Sequence, residues 1–240
     1  MEILVVAAAM FIAGLVQTVS GFGGSLTIMM VLPTIMSLND AVTLNQTVMI
    51  ILVFMLVASY WRAIEFRKAV LPTVFCILFT TIFTDLALMV NVTTMKLLFG
   101  LFLIGVSIYF WLFSGKVRSS SNPLMACVCG SLSGITNGLF GIGGPPIAVY
   151  YLAVTDSKDA YIGTTQLVFF LTTIYTVLFR ISKGLFCDDF WQYAVLGTVS
   201  ILLGMLFGKK INRRISPEAM KKCVYVCLCV TGVNTVIQSL

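Results

Sequence analysis

The chain has 240 residues, a net charge of +6, 59% apolar residues and only 10% charged ones, whereas a soluble domain carries roughly 25% charged residues. A water-surrounded core cannot hide that much apolar surface, so lipid must solvate much of the chain. The Lys and Arg residues fall between apolar stretches and not on an amphipathic face, which excludes a nucleic-acid binder, and the absence of His removes the commonest general base and metal ligand.

Apolar stretches are predicted as helices at 3–19, 25–36, 42–60, 69–90, 96–113, 123–139, 145–154, 159–179, 189–208 and 219–238. Met1-Glu2 lacks the positive start of a cleavable signal, so the first segment is expected to be retained. A bilayer core needs about 20 apolar residues. The stretches 25–36 and 145–154 are too short to span it, and each follows a glycine cluster. Short, Gly/Pro-interrupted segments at matching positions in two halves point to broken helices at a transporter's binding site.

A repeat shows at an offset of 120, where Gly21-Phe22-Gly23-Gly24 falls on Gly141-Ile142-Gly143-Gly144. In the same frame Gly14 meets Gly134, Leu32 meets Leu152 and Gln46 meets Gln166; further on the frame slips, and Met95-Lys96 meets Met220-Lys221.

Two threadings compete. Residues 3–36 cross once, or 3–19 and 25–36 return to the starting side as a re-entrant pair, as 123–154 then does. The returning threading gathers Arg62, Arg67, Lys68, Lys116, Arg118, Lys158, Lys209, Lys210, Arg213, Arg214, Lys221 and Lys222 on one side, 12 cations against the 3 of Lys96, Arg180 and Lys183. The single crossing splits them 8 against 7. Cytoplasmic loops carry the Lys/Arg excess. A single crossing of residues 3–36 would also measure about 51 Å, against a core of about 30 Å. The returning threading is therefore expected. Its fold is an all-α polytopic membrane protein of two inverted repeats, 1–118 and 119–240, each a broken helix pair followed by three transmembrane helices. Both termini are then periplasmic.

Glycine clusters do not serve helix stability, since each glycine costs about 1 kcal/mol in a helix interior. They let the backbone turn sharply and approach a ligand. The short helix behind each cluster begins with unpaired N–H groups, which in hydrocarbon must meet protein, water or ligand. Two such starts at mid-depth would form an anion site made of backbone. Its expected residues are Ser20, Gly21, Gly23, Gly24, Ser25, Gln46, Asn137, Gly141, Gly143, Gly144 and Gln166, with Gln17, Thr27, Asn45, Thr164 and Thr165 also available nearby. Pro145-Pro146 suits the second helix start, because Pro in a first turn loses no bond. Close helix packing by small residues is the alternative use of these glycines.

Asp85, the acid inside a long apolar stretch, is the candidate coupling site for a proton or sodium ion, or else an acid reaching the outer interface. Arg180 at the outer end of its helix either steers anions or snorkels. Cys76, Cys127, Cys129, Cys187, Cys223, Cys227 and Cys229 lack the two-residue spacing of common zinc or redox pairs, and act as packing residues or as a thiol relay for a sulfur substrate. No metal site and no cofactor are expected.

In its size, its two repeats and its turns Gly21–Ser25 and Gly141–Pro145, the chain resembles the TauE/SafE family, the sulfite-exporter-type permeases. That resemblance implies an inner-membrane permease for small sulfur-containing or carboxylate anions, such as sulfite or organosulfonates. A secondary transporter is the leading expectation, an anion channel comes second and a membrane enzyme third. No G-x-x-x-x-G-K-[ST] loop is present, so this chain is not expected to hydrolyse ATP. The expected partners are the anion, the bilayer, a coupling ion and, optionally, a second copy in a homodimer.

Overall fold

A computed structural model describes residues 2–113, 122–185, 190–211 and 229–237. Among them every regular element is helical: α1 (Glu2–Ser20), α2 (Gly24–Val31), α3 (Leu38–Tyr60), α4 (Phe66–Met89), α5 (Val92–Phe113), α6 (Pro123–Phe140), α7 (Gly144–Val154), α8 (Lys158–Ser182) and α9 (Phe190–Ile211), with single 3₁₀ turns at Leu32–Thr34 and Trp61–Ala63. Residues 229–237 are helical too. They belong to the predicted stretch 219–238, whose remainder lies outside the described residues, as do Cys187, Cys223 and Cys227. Six helices, α1, α3, α4, α6, α8 and α9, are long and apolar enough to cross a membrane. The protein is an all-α polytopic membrane protein.

The helix starts follow local chemistry. Ser37 Oγ accepts the Asp40 N–H at 3.2 Å to cap α3, and Ser157 Oγ accepts the Ala160 N–H at 3.1 Å to cap α8. Such caps satisfy one of the unpaired donors of a first turn. The two serines lie 120 residues apart, so the same device opens the third helix of each half.

Glycine sets the closest packing. Gly130, Gly134 and Gly138 lay one bare stripe of α6 on α4, where added β-carbons would lie 2.7, 2.5 and 2.8 Å from the carbonyl oxygens of Pro72, Cys76 and Thr80. On the other side Gly14 of α1 meets the Ile201 carbonyl, and Gly204 and Gly208 of α9 meet Phe11 and Leu15. Backbones approach this closely in membranes because dispersion and weak polar contacts must replace the missing hydrophobic drive.

These contacts also fix direction. The pairs Met10/Gly197, Gly14/Ile201 and Thr18/Gly208 make α1 parallel to α9. Val48/Gly197 and Ser59/Lys209 make α9 parallel to α3. Pro72/Gly130 and Thr80/Gly138 make α4 parallel to α6, while Glu65/Thr164, Thr81/Tyr175 and Asp85/Lys183 make α4 parallel to α8. Finally Tyr60/Gly163 and Asn39/Arg180 make α3 antiparallel to α8. Hence α1, α3 and α9 run one way, and α4, α6 and α8 the other. Since α1 and α3 run together, α2 must carry the chain back between them, and α7 does so between α6 and α8. A single crossing by residues 3–36 would have set α1 against α3.

Candidate substrate site between two glycine turns

The first turn ends α1 at Ser20 and passes through Gly21 at φ +79° and Gly23 at φ +97° before α2 begins. The second ends α6 at Phe140 and turns on Gly141 at φ +67°, whose N–H donates to Asn137 O at 2.8 Å. A β-carbon is strained at such φ values, and glycine is not. The turns approach each other: a β-carbon on Gly144 would lie 3.9 Å from Phe22 Cβ.

A cavity of about 30 Å³ lies between them, lined by Gln17, Gly23, Ser25 and Leu26 from the first half and by Asn137, Gly141, Gly143 and Gly144 from the second. Ile142, with Gln46, Met49 and Val53 of α3 and Phe169, Thr172 and Thr173 of α8, completes the wall. No Lys, Arg, Asp or Glu lines it. The space suits one or two waters, since a water needs roughly 10–15 Å³ measured this way.

Of the residues expected at the site, Gly23, Ser25, Gln46, Asn137, Gly141, Gly143 and Gly144 line this cavity, and Ser20, Gly21, Gly24 and Gln166 do not. Those four shape the first turn instead. Ser20 Oγ donates to Phe22 O at 2.5 Å and Val16 O at 2.7 Å, and Ser20 lines a separate cavity beside Tyr161. The Gly24 N–H donates to Gln17 Oε1 at 2.9 Å, Gln17 Nε2 to Gln166 Oε1 at 3.1 Å, and Gln166 Nε2 to Gly21 O at 2.7 Å, closing a ring of amides around the turn. In the second half Gln46 Nε2 donates to both Asn137 Oδ1 (2.8 Å) and Gly141 O (2.9 Å), and Asn45 Nδ2 adds a bond to Gly141 O at 2.9 Å. Asn137 Nδ2 donates to Thr80 Oγ1 and Thr176 Oγ1. Both hydrogens of Gln46 are thus held by protein oxygens in this conformation.

The backbone donors are unequal. Behind Gly24, Ser25 and Leu26 bring N–H groups with no carbonyl one turn back to accept them, ahead of Thr27, whose N–H closes on Gly23 O at 3.0 Å. Pro145 and Pro146 follow Gly144 at the start of α7 and have no N–H. The first helix start is the richer donor. Asn45 Oδ1 and Thr165 Oγ1, again 120 residues apart, are buried without a hydrogen-bond partner.

Asp85 is partly exposed near the end of its helix, as the second of its two expected places has it, and Arg180 fits neither of its own. Asp85 does not stand alone in its apolar stretch. It pairs with Lys183 at 2.8 Å, both side chains 39% exposed, at the far end of α4 and away from the cavity. Arg180 neither snorkels nor steers from an exposed position. It is 2% exposed, with Nε donating to Thr43 Oγ1 at 2.8 Å and Nη2 to Asn39 O at 2.9 Å, and it clamps the end of α8 to the start of α3. Its place at a helix end suggested a solvated head, and only the packing of α3 over it removes the water. The sequence missed Leu26, Met49, Val53, Ile142, Phe169, Thr172 and Thr173 as lining residues. Thr173 stands two turns beyond Gln166, so the α8 face carrying the glutamine held a usable signal. Cys76, Cys127, Cys129 and Cys229 form no disulfide.

Membrane-spanning helices enclosing a polar site at two half-helix starts, with irregular backbone only where protein covers it, form the architecture of a membrane transporter. The chain matches the family model described as Sulfite exporter TauE/SafE over residues 6–235 and belongs to that family, whose members are membrane transporters and not enzymes. A comparison with curated proteins finds no match, and neither does one with solved structures.

Proposed function

We propose that this protein is a secondary transporter of a small anion, sulfite or an organosulfonate, which binds between the turns Gly21–Ser25 and Gly141–Pro145. The observation that carries this reading is the shared cavity: both glycine turns, Ser25, Gln46 and Asn137 line one enclosed space without a charged side chain. Neutral donors and the positive end of α2 are then the attractive elements for an anion. Moderate affinity follows, which suits a carrier that must also release its load.

The cavity is too small for such an anion until the halves separate, so transport proceeds by alternating access. Two inverted repeats, 1–118 and 119–240, would supply the motion. The opposed directions of α1 and α6, α3 and α8, and α4 and α9 support this, as do the paired contacts α1 on α9 and α4 on α6. The basic end of the bundle, with Arg62, Arg67, Lys68, Lys158 and Lys209, faces the cytoplasm of an inner membrane and leaves both termini periplasmic. A proton or sodium ion drives the cycle, with Asp85 as the coupling group, and the unit is active alone or as a homodimer.

The test is binding and counterflow. Purified protein in nanodiscs should gain thermal stability with sulfite or a short alkylsulfonate and none with a neutral sulfone of the same size. Proteoliposomes preloaded with the anion should accumulate labelled anion transiently. Saturation without counterflow would mark a channel, and stabilisation by the neutral sulfone would remove the anion site.

A further inference from the structure

At the basic end, the outer faces of α3 and α8 line an open groove of about 720 Å³, within the roughly 300–1,000 Å³ of ligand pockets. Its floor is apolar, built by Phe54 and Val57 of α3 with Leu167, Phe170 and Leu171 of α8. Phe54 is 54% and Leu171 41% exposed, so the groove opens sideways, where the hydrocarbon must lie. Its rim is different in kind. Trp61 and Arg62 stand there, and Lys209 reaches it by donating to the lining residue Ser59 at 3.1 Å. Among the described residues Arg62 has no ion-pair partner. The acid on the lining, Asp159, sits in the first turn of α8, where the helix dipole already favours its charge.

We propose that this groove binds one anionic phospholipid, its phosphate held by Arg62 and Lys209 and one acyl chain lying along Phe54, Phe170 and Leu171. An apolar slot alone would accept any hydrocarbon chain. The rim selects, because two cations against one dipole-stabilised acid leave an excess positive charge at headgroup depth, and an aromatic indole marks that depth. A free phosphate would use the rim and leave the apolar floor uncovered. A zwitterionic lipid would use the floor and bring no net charge to the rim. The occupant lies across the basic ends of α3 and α8, the helices that carry Gln46 and Gln166.

The full chain is purified in detergent, offered phosphatidylglycerol or phosphatidylcholine of the same acyl length, and retained lipid is counted by native mass spectrometry. One phosphatidylglycerol should be retained preferentially, and each of Arg62→Gln and Lys209→Gln should lower its retention about fivefold. Ala58 is an exposed lining residue of α3 beside Phe54, and Ala58→Trp, which fills the groove, should lower retention of both lipids. Glycerol phosphate should not compete at equal concentration. Equal retention of the two lipids, unchanged retention in the Arg62→Gln/Lys209→Gln double variant, or competition by glycerol phosphate would overturn the proposal. So would a dimer that Ala58→Trp dissociates, since a second copy would then cover the groove. The measurement needs no transport and no membrane orientation, so it stands or falls apart from the substrate reading.

Discussion

Gln46 on α3 and Gln166 on α8, 120 residues apart, each hold the first glycine carbonyl of the other half's turn: Gln46 Nε2 donates to Gly141 O at 2.9 Å and Gln166 Nε2 to Gly21 O at 2.7 Å. Each turn is therefore held in part from the opposite half. Each turn's geometry depends on a helix from the opposite half, and any motion that parts the halves must break or exchange these bonds. The cost is moderate, because a buried group left unpaired loses about 1–3 kcal/mol. That suits a step that must be reversible.

Gly144→Ala should test the cavity without testing the fold. A β-carbon there meets only Phe169 and Phe22, at 3.8 and 3.9 Å, which is ordinary contact. The melting temperature should hold while anion binding and transport fall, because the methyl enters a space of about 30 Å³. Parental transport by folded Gly144→Ala would move the substrate elsewhere.

Gly134→Ala should do the reverse. Its β-carbon would lie 2.5 Å from the Cys76 carbonyl oxygen, so α6 must move away from α4. Overpacking of this kind costs about 1–3 kcal/mol. Thermal unfolding in one detergent should show the loss, and an unchanged midpoint would mean that α4 and α6 are not packed this closely.

Gln46→Glu should be sensitive to pH. The carboxylate would face Gly141 O and Asn137 Oδ1, both acceptors, in a buried place. Burial and two facing acceptors oppose the charged form, whereas the protonated carboxyl can donate one of the lost bonds. Relative to the parent at the same pH, stability and anion affinity should both fall further at pH 8 than at pH 5. Equal behaviour at both pH values would remove the bond to Gly141.

Asp85→Asn separates stability from coupling. An exposed ion pair such as Asp85–Lys183 contributes about 1 kcal/mol at most. The melting point should therefore barely change, and anion affinity should hold. Transport driven by a pH or sodium gradient should drop. If gradient-driven transport persists at the parental rate, the pair is an interfacial contact and the coupling group lies elsewhere.

Arg62→Cys and Lys183→Cys test the orientation. An impermeant thiol reagent applied to intact cells should label residue 183 directly and residue 62 only after permeabilisation, in a background where the native cysteines are replaced. The opposite pattern would invert the topology.

The sequence by itself determined the solvent, the element count of the first half, the returning pairs and the two turns. Lipid demands long apolar runs, so the runs are legible from composition. The Lys/Arg distribution favours the returning threading, because charge resists crossing the bilayer. Glycine pairs at an offset of 120 mark the two turns, where Gly21, Gly23 and Gly141 take positive φ. What the sequence could not decide was which polar side chain serves which turn. Gln46 and Gln166 looked like ligands because they are polar and repeated, yet in this conformation each serves as a crossed support for the other half's backbone. The partners of Arg180 and Asp85 were equally illegible, since burial by α3 and pairing with Lys183 come from segments 137 and 98 residues away in the chain. Hydropathy and spacing are properties of one helix at a time. Hydrogen-bond partners in a membrane interior are chosen by which helices lie side by side, and only the tertiary structure decides that.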